Sequence, residues 1–247
     1  MFEFQSHLIF PAHAVPPSGP LPPGAELLSL DTPEGHKLAG IHIPADEPAK
    51  GQPLILGFGG NAWNGQDVAE YLHQIFPDAD VVAFHYRGYA PSAGSASAEA
   101  LIADAPFAYD FAVKRLKPKR IIAVGMSIGS GVAAELATHR KLDGLILVTP
   151  FDSLKAVAQS MYPWLPIGPF FDHEIDAAAA IAKVKIPVAI IAAQHDQIVP
   201  TALTERLRGH VPNLVFDRTI AMAGHNDIYA RSEFHAAMRE AVNRLKP

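Results

Sequence analysis

The stretch IIAVGMSIG, from Ile121 to Gly129, decides the fold. An apolar run leads into the pattern G-x-S-x-G, which sets Ser127 between two glycines, and a sequence of helical character follows. Between a strand and a helix this spacing suits a sharp turn with an exposed serine, because the glycines leave room for such a turn. The pattern predicts Ser127 as a catalytic nucleophile. The alternative is that Ser127 only caps the helix over 127–139.

The composition indicates a globular chain. The 247 residues are 49% hydrophobic and 18% charged, which is enough apolar material for a buried core. Because the net charge is −5 and the lysines and arginines are scattered outside 114–120, nucleic acid is not an expected partner. There is no cysteine, which excludes disulfides and zinc-thiolate sites, and the histidines form no helix-spaced metal pair. No metal site is therefore predicted.

No apolar stretch in the sequence is long enough to cross a bilayer, and the first ten residues lack the basic region of a signal peptide. We therefore predict a soluble protein without a transmembrane segment, located in the cytoplasm. The oligomeric state is not indicated by the sequence.

The chain divides into a proline-rich arm and one larger unit. Six of the 22 prolines fall within 11–24, so residues 1–24 are predicted to form an extended arm. Within 25–247, strands that are apolar on both faces alternate with helices, which is typical of a parallel sheet covered on both sides. The runs 25–30 and 36–43 read as an antiparallel hairpin. We therefore predict a mostly parallel, eight-stranded sheet with an antiparallel N-terminal hairpin, and a helix over 98–116 that bends or restarts at Pro106.

Residues 151–185 interrupt the alternation and are predicted to be a short cap insertion. Aromatic and proline residues concentrate in 161–171, which suits a cap that leans over a pocket at the edge of the sheet. The alternative is an ordinary crossover whose aromatic side chains pack on the core. The predicted pocket residues are Trp63, Met161, Tyr162, Trp164, Leu165, Phe170 and Phe171.

A serine hydroxyl needs a histidine to accept its proton and a carboxylate to orient that histidine. Asp196 follows the predicted strand 188–193, and His225 follows the strand 214–220, so both lie at carboxyl ends of strands, as Ser127 does. The order Ser, Asp, His results, with spacings of 69 and 29 residues. Taken singly, Asp196 could be a helix cap and His225 a surface turn residue, and Asp152 is a competing acid.

An oxyanion hole needs two backbone donors, one from the residue after the nucleophile, here Ile128. The second is expected from the glycine-rich loop 57–64. Asn61 is the preferred donor there, with Phe58 and Gly60 as alternatives. The same loop fits the loose dinucleotide pattern G-x-G-x-x-A, but the next strand ends without an acidic residue for a ribose, and no cofactor is predicted.

Taken together, several ordered motifs resemble the α/β-hydrolase superfamily, specifically the short-capped serine hydrolases of its α/β-hydrolase-domain-containing group. The resemblance covers most of the chain. It implies that Ser127, Asp196 and His225 form the triad and that Asn61 donates to the oxyanion. The motifs are FGGNA (58–62), YRGYAPSAG (86–94), GMSIG (125–129), YPWLP (162–166), HDQIVP (195–200) and GHND (224–227).

The chain departs from the pattern of this group at two positions. Gly59 stands where the group has a loop histidine, and Ala90 stands where it has a glycine. Backbone donors do not depend on the missing histidine side chain. The membrane helix that many members carry at the N-terminus is not seen in this sequence, so membrane association is not carried over.

These observations predict a serine hydrolase that cleaves a small-molecule carboxylic ester or thioester through an acyl-enzyme on Ser127. The apolar residues of the predicted cap favour a hydrophobic acyl or alcohol group. Two alternatives stay open: a peptidase or amidase with the same triad, and a binding protein that keeps the fold without turnover.

Overall fold

The structure is a computed structural model that describes residue 6 and residues 9–47, 51–164 and 171–246. Its centre is an eight-stranded sheet in the order β1-β2-β4-β3-β5-β6-β7-β8. β1 pairs antiparallel with β2, and β2 pairs antiparallel with β4, whereas the remaining neighbours are parallel. The predicted α/β-hydrolase fold with its antiparallel hairpin is thus confirmed. The strands are β1 Glu26–Asp31, β2 Lys37–Ile43, β3 Leu54–Phe58, β4 Val81–Phe84, β5 Ile121–Met126, β6 Gly144–Val148, β7 Val188–Ala193 and β8 Leu214–Ile220.

Helices cover both faces of the sheet, as predicted. Helices α1 and α7 contribute to the apolar cluster on one face, and α2 to α6 contribute to the cluster on the other. The helices are α1 Gly65–Ile75, α2 Ala98–Leu116, α3 Ile128–His139, α4 Leu154–Met161, α5 Ala177–Ile181, α6 Thr201–Arg208 and α7 Ser232–Arg244, with single 3-10 turns at Ala12–Ala14 and Ile228–Ala230.

The central strand β5 shows why the sequence folds as it does. All six of its residues are buried, and successive side chains alternate between the two apolar clusters. Ile122 and Val124 face the cluster of α1 and α7, whereas Ile121 and Ala123 face the other. Because β3, β5, β7 and β8 run parallel, their carboxyl ends meet at one edge, and the loops that follow them converge there.

The helix over 98–116 differs in one detail from the prediction. It continues through Pro106 as a single element and does not restart there. Proline costs the helix one backbone hydrogen bond, but Leu101, Ala105 and Ala108 lie buried against the sheet, and this packing outweighs the local preference. Among the described residues, no helix has both the length and the apolarity that a membrane crossing requires.

Candidate active site

Ser127 occupies the turn between β5 and α3. Its backbone adopts φ 53° and ψ −120°, a conformation that costs a non-glycine residue about 1–3 kcal/mol. The flanking glycines make this turn possible: a Cβ on Gly125 would lie 2.3 Å from the Gly129 carbonyl oxygen, and a Cβ on Gly129 would lie 2.2 Å from the Phe58 carbonyl oxygen. The turn therefore holds the serine at the carboxyl edge, with its backbone packed against the end of β3.

The Ser127 side chain makes no capping bond to α3. Its Oγ lies 2.9 Å from Nε2 of His225, and Nδ1 of His225 lies 2.7 Å from Oδ2 of Asp196. The capping role considered for Ser127 is therefore not what its hydroxyl does in this structure. The three side chains predicted from the sequence form one continuous hydrogen-bonded chain.

The surroundings of Asp196 determine the tautomer of His225. A carboxylate accepts hydrogen bonds and cannot donate, so Nδ1 of His225 carries the proton and Nε2 is free to accept from the serine hydroxyl. The other carboxylate oxygen, Oδ1, accepts from the N–H groups of Ile198 at 2.9 Å and Val199 at 2.7 Å. Only 4% of the Asp196 side chain and 6% of the His225 side chain are exposed, which keeps this arrangement away from water.

Other acidic residues near the site are engaged elsewhere. Asp152 pairs with Arg206 at 2.5 Å and accepts from the Ser153 N–H. Asp227 accepts from the Gly224 N–H and pairs with Arg231. Neither competes with Asp196 for the His225 ring. Among the described residues, no group of three or more histidine, aspartate or glutamate side chains converges as a metal ligand set would.

The loop after β3 lies directly beside Ser127. A Cβ on Gly60 would sit 3.5 Å from Cβ of Ser127, and both Gly60 and Asn61 line the pocket that contains the serine. Phe58, the other donor considered, lies within β3 and does not line it. Ile128 also lines the pocket, and as the first residue of α3 its N–H has no acceptor one turn earlier in the helix. Asn61 and Ile128, the two residues predicted to donate, thus both line the pocket that contains Ser127.

Two tyrosine side chains hold this loop in place by hydrogen bonds. The Tyr86 hydroxyl donates to the Gly59 carbonyl at 2.9 Å, and the fully buried Tyr89 donates to Oδ1 of Asn61 at 2.5 Å. The Ala62 N–H reaches the Tyr89 hydroxyl at 3.5 Å. Burial raises the pKa of Tyr89 to about 12, so its hydroxyl stays protonated and remains a donor at neutral pH.

The dinucleotide alternative requires a free helix N-terminus to receive a pyrophosphate. At α1 this end is already satisfied. The Gly65 N–H donates to Nδ1 of the buried His85 at 3.2 Å, and the Asp67 N–H donates to Oδ1 of the capping residue Asn64 at 2.8 Å. Burial also lowers the pKa of His85 to about 4, which keeps this imidazole neutral and able to accept. These N–H groups at the start of α1 are thus already paired with protein acceptors, and this geometry disfavours nucleotide binding.

A pocket of about 230 Å³ opens beside Ser127 and His225. Of the residues predicted to line it, Trp63, Met161 and Tyr162 do so. Trp164 is 71% exposed and stacks edge-on against Tyr162, outside the lining. Phe171 packs against the core and its ring meets that of His173. Leu165 and Phe170 lie outside the described residues. For Trp164 and Phe171 the prediction was wrong, because aromatic content identified the segment but not which side chains turn inward.

Sequence reasoning missed most of the wall. In α4, the residues Leu154, Val157, Ala158 and Met161 line the pocket, and their i, i+3, i+4, i+7 spacing was a readable signal of one helix face. The others come from loops and from the arm, where no periodicity exists to read. Besides these, the pocket is lined by Ile9, Gly60, Phe151, Ile198, Val199, Asn226 and Tyr229.

Comparisons with known proteins identify relatives of this chain. Residues 54–171 match the family model described as alpha/beta hydrolase fold. An uncharacterized protein of Mycobacterium tuberculosis strain H37Rv is 33% identical over 223 residues, which cover 86% of this chain and 78% of that protein. The lysophosphatidylserine lipase ABHD12 of Danio rerio is 33% identical over 180 residues, which cover 63% of this chain. The match covers 46% of that lipase, so the chain spans about half its length.

Solved structures show the same fold. An alpha-beta hydrolase from Vibrio vulnificus superposes with a TM-score of 0.79 at 16% identity, over 99% of this chain and 93% of that one. The Pyrococcus furiosus esterase PF2001 superposes with a TM-score of 0.71 at 20% identity, over 93% of this chain and 96% of the esterase.

Proposed function

The chain belongs to the α/β-hydrolase superfamily, and on that premise we propose that it is a serine hydrolase that cleaves a carboxylic ester or thioester. The family, together with a lipase and an esterase among its relatives, supports a hydrolase activity. The observation that carries the finer proposal is the hydrogen-bonded chain from Ser127 Oγ through the His225 ring to Asp196, at 2.9 and 2.7 Å.

The chemistry follows from these contacts. Ser127 Oγ forms a bond to the substrate carbonyl carbon while its proton moves to Nε2 of His225. The Asp196 carboxylate stabilises the imidazolium that results. The negative charge that develops on the carbonyl oxygen is stabilised by the N–H groups of Asn61 and Ile128.

The tetrahedral intermediate collapses as the bond to the alcohol or thiol breaks and the leaving group takes the proton from Nε2 of His225. Water then enters, gives a proton to the same nitrogen and attacks the acyl carbon. The acid leaves, and Ser127 regains its hydroxyl proton. In this scheme each proton passes through Nε2 of His225, first from Ser127 to the leaving group and then from water to Ser127.

The pocket supports a hydrophobic, uncharged group on the substrate. Apart from the catalytic histidine, none of the described residues that line it has an acidic or basic side chain, and most are aliphatic or aromatic. An ionised group would lose its water shell there without gaining a partner, whereas each methylene that is buried contributes about 0.8 kcal/mol. Among p-nitrophenyl esters, we expect kcat/KM to rise with acyl length up to the limit of the pocket, and a flat profile would contradict this preference.

A fluorophosphonate probe tests the nucleophile directly. The wild-type protein is expected to be labelled on Ser127, and Ser127→Ala is expected to abolish the labelling. Ser95→Ala is a matched control, because Ser95 is exposed and lies away from the pocket. If the folded wild-type protein is not labelled, the proposal is overturned and the non-catalytic alternative is favoured. Comparison of an ester with the matching anilide separates esterase from amidase activity.

A further inference from the structure

The proline-rich arm does not simply lead into β1. Residues 9–20, which we term the strap, run along the edge of the sheet beside the loop that carries Asn61. Three side-chain amides hold the strap by its carbonyl groups. Asn61 Nδ2 donates to Ile9 O, Asn64 Nδ2 donates to Pro16 O at 3.2 Å, and Gln66 Nε2 reaches the carbonyls of Gly19 and Pro20, each at 3.1 Å.

Two of these three amides are buried, whereas Asn61 is exposed. Asn64 has no exposed surface and Gln66 is 4% exposed, and each amide also donates to a carboxylate of α1, Asn64 to Asp67 at 2.7 Å and Gln66 to Glu70 at 2.8 Å. If the strap moved away, each amide would lose one of its hydrogen bonds, at a cost of about 0.5–1.5 kcal/mol. The apolar side chains of the strap are buried too: Ile9 is 8% and Phe10 3% exposed, and the Phe10 ring meets His173 edge-on at 5.3 Å.

One side chain of the strap reaches the reaction site. Ile9 lines the pocket that contains Ser127, and it belongs to the same apolar cluster as Phe151, Leu154 and Val157 of the pocket wall. The carbonyl of the same residue accepts from Asn61, whose N–H we assign to the oxyanion hole. Ile9 therefore links the hydrophobic wall with the loop that holds the reacting carbonyl.

We propose that the strap is part of the substrate site and that Ile9 sets the length of the hydrophobic chain that the pocket accepts. The inference rests on the proposed hydrolase function. Ile9 contributes a branched side chain to the pocket wall, and the hydrogen bond from Asn61 to its carbonyl holds its backbone in place. Removing the side chain beyond Cβ would open room for further methylenes, and a larger ring would close it.

The test is the kcat/KM profile over p-nitrophenyl esters from acetate to dodecanoate. Each additional methylene that the pocket buries is worth about 0.8 kcal/mol, or roughly fourfold in kcat/KM. We expect Ile9→Ala to raise the ratio of kcat/KM for long over short esters by about tenfold, and Ile9→Phe to lower it by a similar factor. Leu21→Ala is the matched control, because Leu21 is 39% exposed, follows the strap directly and does not line the pocket. Its profile is expected to match the wild type.

Opposite shifts separate specificity from damage, because a variant that is merely destabilised loses activity on all esters alike. A parallel loss for both Ile9 variants, or a wild-type profile for both, would overturn the proposal. If Ile9→Phe does not fold, hydrogen exchange of the strap carries the test. Labelling Ser127 with a long-chain alkyl fluorophosphonate should slow exchange at Ala12–Val15 at least threefold more than a methyl probe does, and equal exchange would overturn the proposal. Failure of the hydrolase function would appear separately, as no labelling of Ser127.

Discussion

The Tyr89 hydroxyl supports the loop that we propose as the oxyanion hole, and removing this hydroxyl gives the clearest test of the site. It donates to Oδ1 of Asn61 at 2.5 Å and accepts from the Ala62 N–H at 3.5 Å, so it contacts both the Asn61 side chain and the peptide group that follows Asn61. Tyr89→Phe removes this hydroxyl and keeps the buried ring. The variant is expected to fold normally and to hold the Asn61 N–H less firmly.

The magnitude follows from two terms. Complete loss of one oxyanion donor costs about 10²–10³ in kcat, but in Tyr89→Phe the Asn61 side chain keeps its bond to Ile9. The donor is therefore displaced and not removed, and we expect kcat to fall by about tenfold, equivalent to ~1.4 kcal/mol. KM should change by less than about twofold, because the bond matters most when charge develops on the carbonyl oxygen. The loss of folding stability should be only about 1 kcal/mol, because Asn61 is exposed and water can reach its amide.

The assay is steady-state hydrolysis of p-nitrophenyl butyrate, with urea unfolding as the stability measurement. Tyr109→Phe is the matched control, because it removes a tyrosine hydroxyl that donates to the Lys141 carbonyl at 2.6 Å, far from the pocket. It should leave kcat unchanged. If Tyr89→Phe and Tyr109→Phe lose stability to the same extent and both keep kcat within about twofold of the wild type, Tyr89 is a structural residue only and the reasoning is refuted.

Three further predictions concern the triad, the turn and the pH dependence of stability. In Asp196→Asn, the carboxylate that accepts the Nδ1 proton of His225 becomes an amide whose NH₂ group can donate to Nδ1 and favour the wrong tautomer. We therefore expect kcat to fall by about 10⁴-fold, whereas the kcat of Asp152→Asn should stay within about twofold of the wild type in the same assay. Gly129→Ala forces a Cβ to 2.2 Å from the Phe58 carbonyl oxygen, so the free energy of unfolding in urea should fall by about 3 kcal/mol or more, the upper end for overpacked cores. Gly209→Ala is the control: its Cβ would meet nothing closer than 3.5 Å, and the free energy of unfolding should change by less than about 0.5 kcal/mol. The pKa of His85 is about 4 in the folded chain and ordinarily about 6.5, so the unfolded chain binds more protons between these values, and stability should fall by about 2 kcal/mol from pH 8 to pH 5. His85→Asn keeps an acceptor for the Gly65 N–H and should flatten that dependence; an unchanged slope would assign it to other groups.

Sequence patterns predicted the sheet and the positions of the three triad candidates because both depend on local order. An apolar run such as 121–124 can be buried on both faces only in a covered parallel sheet, and parallel strands bring their carboxyl ends to one edge. Ser127 follows β5 directly, and Asp196 and His225 lie in the loops after β7, which ends at Ala193, and β8, which ends at Ile220. Their meeting required only that β5, β7 and β8 belong to the same sheet, which the alternation of strands and helices indicates.

The pocket could not be predicted in the same way, because its wall is assembled across elements. Trp164 and Phe171 were grouped with the pocket for their aromatic rings, yet one faces solvent and the other packs on the core. Part of the wall is formed instead by the smaller aliphatic face of α4, and the rest comes from loops and from Ile9 of the arm. The hydrophobicity of a side chain predicts that it will be buried, but not whether it is buried against the protein core or against a bound substrate.

For the strap, the sequence allows the hydrogen-bonding character of the segment to be predicted, but not the residues that pair with it. Prolines in 11–24 lack N–H groups, so this segment cannot complete a sheet edge and offers mainly carbonyl acceptors. Such acceptors need donors when they are brought against the protein, and Asn61, Asn64 and Gln66 supply them from a segment more than 40 residues away in the chain. Asn61 and Asn64 lie in the loop that leads into α1 and Gln66 lies in its first turn, where a glycine-rich sequence suggested only an oxyanion site. This loop binds the strap through its side chains, and we propose that it binds the substrate carbonyl through its backbone. Displacing the strap should therefore disturb catalysis even when Ser127, His225 and Asp196 are intact.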